Sequence, residues 1–496
     1  MKMNLENKYD LLVIGGGPAG TPVAMEYASL YPNKKILLVD KLGELGGECL
    51  FEGCIPSKIL LRSGEEYLNR NDAIDFGIKN PHEKSKLMWE DVVRRKVHIL
   101  EKRSKAAVEN LNSLGNVTLL KGTATFRDEN SVRIALGETN EEKIVTFKKA
   151  VIGTGSRTFI PPFKGNGLDK VWTNNEFFRD LEHPKTLTII GDGPIGIELS
   201  QILANLDVKI NLVGNRSSIL PMIDKEFSHL VLEKIKANEN INLILEANVS
   251  EVNFNDNLFD VIYSQNGKVK NINSEKVLVA TGRTPNIEEL SLDKANVTFD
   301  RKGIIVDNYL QTTNRNIYAA GDVILHGPQF AHTAAYEAHI IAQNLFFGRN
   351  KFKVNFDKNS WVLFSEPNIV SAGISEEKAI EKGYDVITGL YDFSIDAKSQ
   401  IENADFGFMK FVVNKKNLEI LGITIATPNA QSISGEAAVL ISKGVTLKEL
   451  VSVIQPHPTL SESFTFLAKM MMGKIMQEKM KSPLFKIGFF VKKYWL

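Results

Sequence analysis

Only two cysteines occur in 496 residues, and both fall in one stretch, Gly46 to Lys58, reading GGECLFEGCIPSK. Thiols this close in sequence can cycle between dithiol and disulfide, ligate a metal, or sit idle as small hydrophobes. A bridge around so short a loop removes little unfolded-state entropy, which makes Cys49 and Cys54 a poor structural staple. Zinc needs about four ligands, and no second cysteine pair completes such a set, so no metal site is expected. Gly46, Gly47, Gly53 and Pro56 crowd the segment, which argues for a shaped backbone rather than plain core packing. Redox exchange is the favoured chemistry, with idle buried thiols as the alternative.

The surrounding chain has to position that pair. Its length allows several domains, and a formal charge of +1 gives no general pull toward nucleic acid. The opening residues MKMNLENKYD lack the apolar core of a signal peptide, and no run of about 20 apolar residues suits a spanning helix. With two cysteines, a reducing cytoplasm is the expected compartment.

A strand-length apolar run, Tyr9 to Ile14, leads into Gly15-Gly16-Gly17-Pro18-Ala19-Gly20. A helix over Val23 to Leu30 follows, and then a second strand, Lys35 to Val39, that ends at Asp40. Strand, glycines, helix, strand and acid in that order predict a dinucleotide site. Gly15, Gly17 and Gly20 shape the turn, and a helix N-terminus receives the phosphates. The pattern recurs at Thr186–Ile190, Gly191-Asp192-Gly193-Pro194-Ile195-Gly196, a helix through Leu206 and a strand from Val208 to Val213. Similar turns follow each unit, at Gly153 to Ser156 and at Ala280 to Arg283. Such a duplication implies two dinucleotides with a hydride or electron pair passing between them. The charged stretch Lys86 to Leu111 reads as a solvated helical face.

Together these motifs resemble the FAD-dependent pyridine nucleotide–disulfide oxidoreductases, within the dihydrolipoamide dehydrogenase and mercuric reductase branch, from about Tyr9 to Ala468. The resemblance implies an α/β fold with two Rossmann-like domains, for FAD and NAD(P), and an α+β C-terminal dimerisation domain. The expected parts are 1–158 and 283–350 for FAD, 159–282 for NAD(P), 351–468 for the interface, and a basic, apolar tail over 469–496. Glu48 stands where the family motif usually has threonine.

By the same resemblance Cys54 lies against the flavin as the thiolate and Cys49 exchanges with substrate. Lys58 sits near the flavin and pairs with Glu198. FAD contacts carry over to Gly15, Gly17, Gly20, Asp40, Ala124, Thr154, Gly155, Ser156, Gly321, Asp322 and Ala331. The nicotinamide coenzyme takes Gly191, Gly193, Gly196, Arg216, Val249, Ala280, Gly282 and Arg283. Gln455-Pro456-His457-Pro458-Thr459-Leu460-Ser461-Glu462 resembles the family's histidine signature. It makes His457 the proton acceptor for thiol exchange, oriented by Glu462 and contributed across a homodimer.

An acid usually ends the second strand of NAD-specific units, but Gly214 stands there, followed by Asn215 and Arg216. That absence leans toward NADP(H), with Arg216 on the 2′-phosphate. A dihydrolipoamide dehydrogenase-like reaction on a small-molecule or lipoyl thiol or disulfide is the leading expectation. Mercuric-reductase-like and soluble-transhydrogenase-like enzymes are alternatives. The first is disfavoured by the lack of a C-terminal cysteine pair and of a metal-binding domain before Tyr9, the second by the intact Cys49–Cys54 pair. A further alternative is a membrane-surface flavoprotein. Met470 to Met472, Ile475 and Met476, with lysines around them and aromatic residues after Pro483, suit a peripheral anchor on an anionic surface.

Overall fold

The computed structural model describes residues 6–72, 76–77, 86–137 and 141–481. These residues group into two compact units, one taking the chain up to 217 and 239–356, the other 218–238 and 357 onward.

In the first unit, β1 (Lys8–Ile14) is followed by α1 (Gly20–Leu30) and β2 (Ile36–Asp40). Next come α2 (Gly47–Phe51), α3 (Cys54–Asp72) and α4 (Trp89–Ser113), and then β3 (Val117–Lys121). A seven-stranded sheet runs β3, β2, β1 and then Glu141–Ile152, all parallel. The antiparallel strands Ser131–Leu136 and Thr123–Asp128 extend it, and Ile317–Ala319 pairs with the end of Glu141–Ile152. Leu11, Leu12, Val13, Ile36, Leu37 and Leu38 are fully buried. Covered on both faces, such strands read as continuous apolar runs, each large side chain contributing about 1.5–3 kcal/mol.

The second parallel sheet orders Ile241–Ile244, Lys209–Val213, Thr186–Ile190 and Lys276–Val279. Its register repeats the first, Ile190 facing Val213 as Ile14 faces Val39. The duplication expected from sequence is therefore present residue for residue at the strand ends. A three-stranded antiparallel sheet, Ala247–Asn255, Leu258–Gln265 and Lys268–Ser274, is inserted before the last parallel strand.

Helix α4 is polar but not uniformly solvated. Leu100, Leu111 and Lys96 are buried, and Lys96 Nζ donates to the carbonyl of Phe178. A long aliphatic stem with one satisfied ammonium lets a lysine serve a helix's inner face.

The second unit is a five-stranded antiparallel sheet, in the order Ser360–Leu363, Asn368–Gly373, Ile420–Thr427, Phe408–Asn414 and Val386–Asp392. Helices Ser434–Lys443, Leu447–Val451 and Glu462–Lys481 complete it, over a core that includes Phe393, Phe411, Phe464, Leu467 and Met471. Helix Lys225–Ala237 groups here although it lies inside the stretch expected for the second nucleotide domain. Lys410, nearly buried, holds that connection with carboxylates of Asp224 at 2.7 Å, Glu376 at 3.1 Å and Glu226 at 3.4 Å. Among the described residues no helix is long and apolar enough to cross a membrane.

Candidate active site

Cys49 lies in the short helix α2 and Cys54 opens α3, with the Glu52-Gly53 turn between them. Both are thiols, within hydrogen-bonding reach of each other. The Cys49 S–H donates to Cys54, and this bond, helped by the Lys58 ammonium one turn on, lowers the Cys54 thiol to about 7 against opposition from burial and Glu198. The same bond, with burial, pushes the Cys49 thiol up. One sulfur is thus set to be the thiolate and the other to keep its proton, an asymmetry that thiol–disulfide exchange needs.

Lys58 Nζ is 2.7 Å from Glu198 Oε2, which projects from the helix Pro194–Ala204 behind the second glycine loop. The pair joins the cysteine helix to the second nucleotide unit, as expected from sequence.

Glu48 was not singled out as a site residue, yet it organises the loop. Arg283 grips its carboxylate with both terminal nitrogens, Nη1 at 2.8 Å from Oε1 and Nη2 on Oε2, and Asn174 Nδ2 also donates to Oε1. Arg283 Nε donates to Ser156 Oγ at 2.6 Å, and Ser156 Oγ donates to Asp322 Oδ2 at 2.8 Å. The Arg283 guanidinium, expected beside the nicotinamide coenzyme, joins Glu48, Ser156 and Asp322. A carboxylate in place of threonine supplies the charge that draws it there.

Two equivalent glycines face open space at the ends of the strands. A Cβ on Gly17 would meet only Gly47 Cα at 4.0 Å, and one on Gly193 would meet nothing within 4 Å. Gly20 and Gly196, by contrast, are required by the fold: a Cβ on either would collide with the carbonyl of Gly15 or Gly191. The cradle fits a pyrophosphate at each loop. Asp40, at the end of β2, accepts from the Gly16 amide at 2.9 Å through Oδ2 and from the Leu42 and Gly43 amides at 2.9 Å through Oδ1.

The other expected FAD contacts cluster around the same strand ends. Ala124 is buried in the strand Thr123–Asp128, and Thr154 Oγ1 donates to the carbonyl of Asn286. Gly155 and Gly321 have positive φ, and Ala331 starts the helix Ala331–Phe346. On that helix Glu337 is fully buried and takes the Gly321 amide at 2.6 Å on one oxygen, while the other has no partner. Burial raises its carboxyl to about 7. Around the second loop, Ala280 N donates to Ile190 O at 2.8 Å, Gly282 has positive φ, and Val249 is half-buried against Val213 and Ile244. Arg216 does not stand clear of the protein, because its Nη1 is 2.9 Å from Asp192 Oδ1.

In the second unit, His457 Nδ1 lies 2.9 and 3.1 Å from the two Glu462 carboxylate oxygens. A carboxylate can only accept, so Nδ1 carries the proton and Nε2 presents its lone pair. His457 is exposed whereas Glu462 is largely covered, which fixes the ring from behind. Gln455 bonds Glu436 and Thr465. The apolar stripe of the last helix divides: Met471, Met472 and Ile475 pack on the sheet, while Met470 and Met476 are exposed. The tail residues from 482, including every aromatic after Pro483, lie outside the described residues. Among the described residues no group of three or more His, Cys, Asp or Glu could hold a metal ion.

Comparison with known proteins gives the family. Residues 9–338 match the pyridine nucleotide-disulphide oxidoreductase model, and residues 359–468 match the dimerisation domain of the same family. The chain is 32% identical over 466 residues to a dihydrolipoyl dehydrogenase of Geobacillus stearothermophilus, covering 94% of this chain and 96% of that one. It is 33% identical over 459 residues to a mercuric reductase of Bacillus cereus, covering 92% of this chain and 70% of that one. Among solved structures, the HOCl-induced flavoprotein disulfide reductase RclA of Escherichia coli, as its Cu(II) complex, superposes with a TM-score of 0.81 at 24% identity. That match covers 94% of this chain and all of the other, and it bears on the fold alone.

Proposed function

Because the chain belongs to the pyridine nucleotide–disulphide oxidoreductase family, whose coenzymes are FAD and a nicotinamide dinucleotide, we propose that it catalyses dithiol–disulfide exchange at Cys49 and Cys54, most like a dihydrolipoyl dehydrogenase. The observation that carries this reading is the asymmetric thiol pair, with Cys54 lowered to about 7 and Cys49 held as a thiol.

FAD, when bound, supplies the two-electron link between the nicotinamide and the thiol pair. Gly17 and Asp40 would hold its pyrophosphate and adenosine ribose, and Asp322 its polar chain. The protein's own residues account for the remaining chemistry. In the oxidised form a substrate thiol loses its proton to Nε2 of His457 and attacks Cys49 Sγ. The Cys49–Cys54 bond breaks and Cys54 leaves as the thiolate that Lys58 stabilises. The second substrate thiol then attacks the mixed disulfide, and its proton goes to the departing Cys49 sulfur. The substrate leaves as a disulfide, with one proton on Cys49 and one on His457. Glu462 holds the ring tautomer and offsets the charge of the imidazolium.

The dimerisation domain supports a homodimer, with His457 supplied by a second copy of the chain. The mercuric-reductase resemblance gains no separate support from the geometry. The FAD-loaded enzyme should be assayed with NADH and NADPH against lipoamide, other disulfides and mercuric ion, beside Cys54→Ser. Disulfide turnover abolished in Cys54→Ser is the expected result. Turnover of mercuric ion alone, or disulfide turnover that survives Cys54→Ser, overturns the proposal.

A further inference from the structure

The two glycine loops differ by an exchange of positions. In the first nucleotide-binding motif the loop carries Gly16 and the strand end carries Asp40; in the second motif the loop carries Asp192 and the strand end carries Gly214. The registers Ile14–Val39 and Ile190–Val213 make Gly16 the counterpart of Asp192 and Asp40 the counterpart of Gly214. The carboxyl groups fill the same gap from opposite sides. A Cβ on Gly16 would meet Asp40 Cβ at 3.3 Å, and a Cβ on Gly214 would meet Asp192 Cβ at 2.7 Å as well as its carboxylate. Glycine at 214 is thus the complement of an aspartate at 192, which leaves that place occupied by an acid.

We infer that Asp192 is the acid of the second nucleotide-binding motif, reading the 2′-hydroxyl of a nicotinamide coenzyme from the glycine loop and selecting NAD(H) over NADP(H). This rests on the proposed reading of the chain as a nicotinamide-dependent oxidoreductase, with that coenzyme at the second glycine loop.

Two features give the direction. Asp192 is 3% exposed, its Oδ1 takes Arg216 Nη1 at 2.9 Å, and its Oδ2 has no hydrogen-bond partner. A buried acceptor without a donor calls for one. A ribose hydroxyl is a donor, whereas a 2′-phosphate dianion brings only acceptors and like charge. Arg216 meanwhile has its charge offset by Asp192, so the guanidinium that the sequence assigned to the phosphate is already engaged. The strand end at Gly214 lacks an acid, and the loop supplies one from Asp192.

The test is calorimetric titration of the FAD-loaded protein with ADP-ribose and with 2′-phospho-ADP-ribose, which reads binding without turnover. Wild type should bind ADP-ribose at least about tenfold tighter, the scale of one charge-assisted hydrogen bond. Asp192→Asn keeps the shape and removes the charge, and should cut the ratio of the two affinities by about tenfold. Arg216→Gln should leave ADP-ribose preferred. Tighter binding of the phosphorylated fragment by wild type, or an unchanged ratio in Asp192→Asn, overturns the inference while leaving the coenzyme at this loop. Binding of neither fragment overturns that placement and the inference with it. Circular dichroism and flavin content confirm that each variant is folded.

Discussion

The Arg283 guanidinium holds the Glu48 carboxylate through both of its terminal nitrogens, with side-chain exposures of only 16% and 25%. Glu48 immediately precedes Cys49, so this pair fixes where the first thiol sits. Arg283 lies past the last strand of the second nucleotide sheet, in a short antiparallel pairing with Ser156–Thr158, so the contact ties the cysteine loop to the return of the chain into the first nucleotide unit, whereas Lys58–Glu198 reaches the second.

Restoring the usual threonine should loosen that contact. Glu48→Thr leaves Arg283 with Ser156 and, at 3.5 Å, Asp322. Stability in urea should fall by about 2 kcal/mol, below the range for a fully buried pair because some compensation remains. An unchanged midpoint would show that the pair contributes nothing net.

Substitutions at Lys58 and Glu198 should move the Cys54 thiol in opposite directions. The ammonium favours the thiolate and the carboxylate disfavours it. In the reduced protein the midpoint of iodoacetamide reactivity is expected near 7. Lys58→Met should raise it, since the cation is lost and Glu198 stays. Glu198→Gln should lower it, since the ammonium is no longer offset. Shifts of the same sign in both variants would contradict the arrangement.

The buried acid Glu337 gives a pH dependence whose sign follows from its raised pKa. Its carboxyl is held up to about 7 in the folded chain against an ordinary value of 4.5. The folded state therefore binds the proton more tightly, and stability from this group is full below pH 4.5 and lost as pH rises to about 7. Urea denaturation of wild type and Glu337→Gln at pH 5 and pH 8 isolates it. The variant, neutral throughout, should gain on wild type at the higher pH by less than about 3 kcal/mol. Equal differences at both values would show that Glu337 is ionised throughout.

The order of motifs along the chain was enough to read the architecture, because each glycine loop sits at a fixed distance from the strands it joins. The Lys58–Glu198 pair and the different parts expected of Cys49 and Cys54 were legible only through the family resemblance of the motifs that carry them. Asp192 was not, although it was in plain view as the second residue of Gly191-Asp192-Gly193. A rule that looks for the acid at the strand end reads positions in sequence, whereas the inferred contact depends on where the carboxylate lies in space. The exchange of Gly16 for Asp192 and of Asp40 for Gly214 is the sequence signal that corresponds to it. Arg283 and Glu48 escaped for a different reason: 235 residues separate them, and no local pattern reports a pairing of that range.

The proposed proton transfer by His457, and the copy of the chain that supplies it, can be tested by mixing two inactive proteins. His457→Ala alone should lower disulfide turnover by about 10²–10⁴-fold, the usual contribution of a positioned acid–base group. Its flavin should still be reduced by the nicotinamide coenzyme, because that half-reaction needs no proton acceptor at the thiols. Cys54→Ser is inactive for a different reason. If each site combines Cys49 and Cys54 from one copy with His457 from the other, a Cys54→Ser/His457→Ala heterodimer contains one site with both defects and one with neither. Unfolding and refolding the mixed chains with FAD should then restore disulfide turnover, approaching half the wild-type rate per heterodimer. If each site draws all three residues from one copy, every site in the mixture carries one defect and no activity returns. Recovery from two inactive parents would place the Nε2 lone pair of one chain against the Cys49 sulfur of the other.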